Sequence, residues 1–193
     1  MNTSQTSPGG MRNNPYIINL LAGPGAGKST IRAEVFSLLK RQGHKVEEVT
    51  EFAKDLTWEG NQAALSDQLF VLGNQNRRLS RLKSQVDFIV SDSPILLGIH
   101  YVTPEYLPFT FERLIWELWD TYNNINFFIE RNKPYSQVGR TQTKEEAEAI
   151  DKSIISLLEN NDIPFITVRD SPEAAKEILV HLSEKGILNG KRD

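Results

Sequence analysis

Residues 22–30 read Ala-Gly-Pro-Gly-Ala-Gly-Lys-Ser-Thr and directly follow the apolar run Tyr16-Ile17-Ile18-Asn19-Leu20-Leu21. This is the spacing of a phosphate-binding loop of the Walker A type, with Ala22 where the strict pattern has its first glycine. Gly23, Gly25 and Gly27 let the backbone curl so that successive N–H groups converge on phosphate oxygens. Lys28 sets a cation against the β- and γ-phosphates, and the Ser29 hydroxyl suits the shell of a Mg²⁺ ion. A helix opening near Lys28 turns its positive end toward the same anion. Gly23, Pro24, Gly25, Ala26, Gly27, Lys28, Ser29 and Thr30 are thus the expected nucleotide site, with ATP and Mg²⁺ as its ligands.

Further polar residues follow the apolar strands. Asp92 ends Phe88-Ile89-Val90-Ser91-Asp92, where a carboxylate suits holding Mg²⁺ through water or accepting a proton from an attacking hydroxyl. Asp92 could also cap a helix at Ser93-Pro94, but Ser93 fills that role unaided. Glu51 closes the second strand and reads either as a base or substrate contact, or as part of an acidic edge with Glu47 and Glu48. After the fourth strand, residues 131–144 carry Arg131, Lys133, Arg140 and Lys144 with no acid among them. A cationic, Gly-containing loop there reads as a lid whose guanidinium groups stabilise charge on a moving phosphoryl group. Gln75, Arg77 and Arg78 head a basic helical stretch ending at Lys83, which suits a substrate phosphate, a nucleic-acid backbone or a solvated face equally. The amide of Gln68 or Gln75 has the two-point pattern that reads a base edge.

The elements that must position these residues alternate strand and helix. Strands are expected at 16–21, 45–50, 86–91, 125–129 and 163–168. Helices are expected at 28–42 (stopped by Gly43), 61–84, 109–122, 144–160 and after Ser171-Pro172. Leu65, Leu69, Leu72, Leu79 and Leu82 share one face of the second helix, and Thr143-Lys-Glu-Glu146 is a capping box for the fourth. The Trp residues of 109–122 fall at core spacing rather than ligand-stacking positions. Near-continuous apolar strands separated by helices imply an α/β fold, a parallel sheet covered on both faces. Such sheets bind ligands at the carboxyl ends of their strands, which gathers the residues above into one cleft.

The 193-residue length fits a single domain over 15–193, with residues 1–14 expected as a polar, disordered leader. There is no Cys and there are only three scattered His, which removes disulfides, thiolate metal sites and Cys nucleophiles and argues against structural zinc. The net charge of −3 speaks against a protein that coats nucleic acid. No apolar stretch reaches the length of a membrane span and no secretory signal pattern opens the chain, so a cytoplasmic setting is expected. The aromatic stretch 106–122 suits either core or a homodimer contact.

These motifs together resemble the small P-loop nucleoside and nucleotide kinases. Within that group the chain is most similar to bacteriophage-encoded ATP-binding kinase-like proteins, related to the nicotinamide riboside kinase domain and to thymidylate kinase. AGPGAGKST, VTEFAKD, FIVSDSP and RNKPYSQVGRTQTKEEA carry the resemblance, which spans 16 to about 185. It implies a three-layer fold with strand order 2-3-1-4-5 and a basic lid, and transfer of the ATP γ-phosphate to a nucleoside or nucleoside monophosphate. In it, Lys28 and Ser29 would serve ATP and Mg²⁺, Asp92 metal or base, and Arg131 and Arg140 the lid. A phage source would make the compartment the host cytoplasm. Thymidylate kinases carry Asp-Arg where this chain has Asp92-Ser93, so recognition of a monophosphate there would fall to Arg77 or Arg78. No Asp-Glu pair follows the third strand, which weakens a motor ATPase reading. Two alternatives stand beside the small-molecule kinase. One is a kinase acting on nucleic acid, such as a hydroxymethylated base or a polynucleotide end, and the other is an ATP-binding regulatory ATPase.

Overall fold

The computed structural model describes residues 14–102, 108–132 and 143–188. Strand β1 (Tyr16–Leu21) is the centre of a five-stranded parallel sheet of order β2-β3-β1-β4-β5, with β2 at Val46–Val49, β3 at Phe88–Ser91, β4 at Asn123–Glu130 and β5 at Ile166–Arg169. This is the order the resemblance implies. The reason for burial on both faces is visible along β1. Ile18 and Leu20 join a core that includes Val35 and Leu39 on one side, while Ile17 and Leu21 join Leu72, Ile115 and Leu158 on the other. Alternate side chains of one strand thus serve two separate cores.

Helix α1 (Lys28–Arg41) and helix α7 (Ala174–Glu184) cover the first face. Helices α4 (Gln68–Ser80), α5 (Pro108–Trp119) and α6 (Lys144–Asn160) cover the second. Gly43 beyond α1 has φ +86°, the left-handed conformation that ends helices, and the capping box at Thr143 and Glu146 is formed on both sides. Trp119 is buried, as core spacing requires. Among the described residues no helix is long and apolar enough to cross a membrane.

Three elements differ from the sequence reading. The helix expected over 61–84 is two, α3 (Gln62–Ser66) and α4, because Asp67 accepts a 3.1 Å hydrogen bond from Phe70 N and starts a new helix. Leu69 consequently leaves the shared face and is 53% exposed, while Leu72 and Leu79 stay buried. A further helix, α2 (Phe52–Trp58), follows Glu51 where no helix was expected. Ser93-Pro94 does not open an α-helix: Pro94 is extended and leads into a 3₁₀ segment, Ile95–Tyr101. The expected leader falls almost wholly outside the described residues, as do Lys133 and Arg140 of the expected lid.

Candidate active site

Five parallel strands leave their carboxyl ends on one edge, and β1 delivers the loop there. Gly27 has φ +92°, so only a residue without Cβ turns the chain into α1 without strain; a Cβ would also stand 2.6 Å from the buried Asp170 Oδ1. Lys28 Nζ donates to Ala22 O at 2.7 Å and Gly23 O at 2.9 Å, which folds the ammonium over the loop. Burial lowers the Lys28 pKa from its ordinary value, and the carboxylates of Glu51, Asp92 and Asp151 oppose that shift.

The pairing of β3 with β1 sets Ser91 beside Asn19, and the next residue, Asp92, reaches the loop. Ser29 Oγ donates a 2.7 Å hydrogen bond to Asp92 Oδ2. The other carboxylate oxygen, Oδ1, is buried without a hydrogen-bond partner and belongs to a residue lining the cavity described below. A hydroxyl beside an unsatisfied carboxylate oxygen is a hard donor set of the kind Mg²⁺ takes, with waters and phosphates completing the shell. Among the described residues no group of three or more His, Cys, Asp or Glu could hold a metal alone. Ser29 and Asp92 supply two ligand atoms for such an ion, whose shell other groups would have to complete.

Glu51 lies two residues beyond β2 and takes the cap position of α2 without a side-chain cap bond, so its carboxylate is not spent on the helix. Burial raises its pKa above the ordinary 4.5, against the pull of Lys28, and Asp92 adds to the rise. Glu51, Lys28 and Asp92 thus feel one another's charge at one end of a cavity of about 380 Å³. The cavity is lined by Ala22, Pro24, Gly25 and residues 27–30 of the loop together with the aromatic side chains of Trp58, Tyr101 and Phe111. Its aliphatic walls include Leu72 and Leu97. A volume of this size, with aliphatic and aromatic walls interleaved with polar side chains such as Glu51, Lys54, Gln68 and Asp92, suits a small-molecule site. The unexpected helix α2 and the 3₁₀ segment build two of its sides.

Of the remaining described candidates, Gln75, Gln68, Arg78 and Arg131 have partners within the protein. Gln75 lines the cavity, but its amide is taken up by backbone: Oε1 accepts from Phe52 N at 3.0 Å, and Nε2 donates to Ser93 O at 3.1 Å and Thr50 O at 3.3 Å. It fastens the ends of β2 and β3 together instead of offering a two-point amide contact. Gln68 lines the cavity and donates to Leu65 O. Arg78 is held by Asp55 and Thr50 and lies over the Phe52 ring, and Arg77 is exposed outside the cavity. Neither guanidinium faces the chamber as a phosphate clamp. Arg131 pairs with Asp151 and donates to Ala147 O, so it lies against α6 and is not among the cavity walls. Arg140 lies outside the described residues.

Two residues of this region were missed in the sequence. Arg32, one turn beyond Lys28 on α1, brings Nε to 3.6 Å from Asp92 Oδ2 and Nη1 to 3.7 Å from Glu48 Oε2 while only 12% exposed. Its four-residue spacing from Lys28 was the available signal. Asp151 had none, because an acid on a polar helix is unremarkable until the helix is docked.

Three comparisons bear on this arrangement. The model of a family described as "AAA domain" matches residues 17–175. No curated protein matches the chain. Among solved structures, deoxyadenosine kinase from M. mycoides with bound dCTP superposes with a TM-score of 0.56 at 16% sequence identity, covering 87% of this chain and 99% of that one. At that identity the likeness is one of fold: a five-stranded parallel sheet of order 2-3-1-4-5 wrapped by helices, the P-loop NTPase fold.

Proposed function

We propose that this chain, which belongs to the AAA domain family, is an ATP-dependent kinase that phosphorylates a hydroxyl of a nucleoside-like small molecule. The observation that carries the reading is the single cavity joining the phosphate loop to an aromatic chamber, with Glu51 and Asp92 at the loop end. A planar base suits walls made by Trp58, Tyr101 and Phe111. The fold shared with a deoxyadenosine kinase agrees with it.

Lys28 and the loop amides would hold the ATP phosphates, and Ser29 and Asp92 would hold Mg²⁺, which neutralises charge on the β- and γ-phosphates when bound. The acceptor oxygen attacks the γ-phosphorus as the bond to the bridging β,γ-oxygen breaks, and ADP leaves. The hydroxyl proton passes to the Glu51 carboxylate, whose raised pKa makes it a better acceptor than an ordinary glutamate. Asp92 suits the base role less, since one of its oxygens already accepts from Ser29 and lies near Arg32. Catalysis is then mostly positioning and charge neutralisation.

Acceptor charge follows from the lining. Besides Lys28, Lys54 is the one cation among the described cavity walls, while Arg77 and Arg78 are turned or tied elsewhere. That favours a neutral nucleoside over a monophosphate, and a chamber of this size favours it over a nucleic-acid strand. The test is a screen with γ-labelled ATP against nucleosides, nucleoside monophosphates and hydroxymethylated or 5′-hydroxyl DNA. Label transferred to a nucleoside supports the reading. Label on DNA supports the nucleic-acid alternative, and acceptor-independent release of phosphate supports the regulatory ATPase.

A further inference from the structure

The entrance of the phosphate loop rests on helix α6. Asp151 uses both carboxylate oxygens there: Oδ1 accepts from Gly23 N at 2.5 Å, and Oδ2 accepts from Arg131 Nε. The Asp151 side chain is 13% exposed and that of Arg131 is 17% exposed, so the pair is shielded from water. A Cβ on Gly23 would lie 2.5 Å from Ala147 O, 2.9 Å from Arg131 Nη2 and 3.1 Å from Asp151 Oδ1. A glycine at 23 is therefore what allows α6 and Arg131 to approach the backbone this closely. The same Ala22–Gly23 peptide carries a Lys28 contact, since its carbonyl, Ala22 O, accepts from Lys28 Nζ at 2.7 Å.

We propose that Asp151 is a positioning residue of the ATP site, tying the first glycine of the phosphate loop to Arg131 at the end of β4. The physical reason is that, although Ala22 and Ala26 are packed in the core, the glycines between them have no side chains to hold the backbone, so its geometry there is set by contacts from outside. A carboxylate accepting from the Gly23 N–H fixes the Ala22–Gly23 peptide plane, and with it the Ala22 carbonyl that receives Lys28. Arg131 supplies the counter-charge that lets a carboxylate sit this close to an anion-binding loop without repelling phosphate. The charges of both Asp151 and Arg131 reach Lys28, in opposite directions.

The inference rests on ATP binding at the loop, which the proposed function also requires, and its test needs no acceptor. MgATP affinity and Tm are measured on the full chain, on Asp151→Ala, on Arg131→Ala and on the double variant. Asp151→Ala is expected to weaken MgATP binding about tenfold, and the double variant no more than the worse single one, since contacting residues share one interaction. Affinity within about twofold of the unchanged chain, or losses that simply add, overturns the proposal whatever happens to Tm. Should Asp151→Ala not fold, Asp151→Asn keeps an acceptor for Gly23 and gives up the charge facing Arg131. It is expected to weaken binding at least about threefold, and unchanged affinity there overturns the proposal equally. Failure of the unchanged chain to bind ATP overturns this inference and the proposed function together. ATP binding that depends on Asp151, without transfer to any acceptor, overturns the proposed function alone.

Discussion

Ser29 Oγ donates a 2.7 Å hydrogen bond to Asp92 Oδ2, joining the first turn of α1 to the end of β3 across 63 residues of sequence. The bond exists because β3 pairs directly with β1, so the residue following β3 emerges beside the loop that follows β1. Asp92→Asn keeps the size and the acceptor oxygen but removes the charge. It is expected to raise the Mg²⁺ concentration needed for ATP binding about 10- to 100-fold, read by titrating Mg²⁺ at fixed ATP. Unchanged Mg²⁺ dependence with lost turnover would move Asp92 to the base role.

Lys28→Ala removes the ammonium that folds over the loop. Phosphoryl transfer is expected to fall about a hundredfold or more, while the circular-dichroism spectrum and cooperative melting persist. Full activity in this variant would take the phosphate site away from residues 22–30.

Glu51 carries a pH signature. Its pKa is raised in the folded chain, so the carboxyl loses its proton later than an ordinary glutamate as pH rises. Turnover should therefore fall on the acid side through that raised value, and Glu51→Gln should remove the limb and lower kcat about 10²- to 10⁴-fold. The stability sign is opposite. Below the ordinary 4.5 both folded and unfolded chains hold the proton and nothing is lost. As pH rises through the folded value, ionising this buried group costs stability. Glu51→Gln should accordingly raise Tm at neutral pH and give no gain in acid, which melting curves across pH decide.

Trp58 lines the cavity although it is 66% exposed, an arrangement that leaves a large apolar face waiting for a ligand. Trp58→Ala is expected to raise KM for the acceptor about 2- to 10-fold, with MgATP affinity unchanged because Trp58 belongs to α2 and not to the phosphate loop. A matched change in both affinities would disconnect Trp58 from the acceptor.

Gly27→Ala tests the backbone of the loop. The φ of +92° and the approach of Asp170 both oppose a side chain, so a loss of about 1–3 kcal/mol in unfolding free energy is expected from denaturant titration. A neutral substitution would mean that the turn relaxes without cost.

The phosphate loop, the alternation of strands and helices and the capping box at Thr143 were all legible in the chain. Each is a local pattern: glycines at fixed offsets, apolar runs between turns, a hydroxyl three residues before a glutamate. The strand-end rule gathered Glu51 and Asp92, and both line the cavity. Sheet order was not in the periodicity and entered with the family resemblance, because strand pairing is a long-range choice that no local window encodes. Only the tertiary structure decided which polar groups face the cavity. Gln75, Arg78 and Arg131 look free in the sequence, yet backbone carbonyls, Thr50, Asp55 and Asp151 claim them once the elements pack. Asp67 split a helix whose leucine spacing read as continuous, and α2 with the 3₁₀ segment built a chamber around Trp58 and Tyr101 from stretches without a motif. A side chain's type sets what chemistry it can offer. Whether that chemistry is still available is set by the partners that folding brings within hydrogen-bond reach.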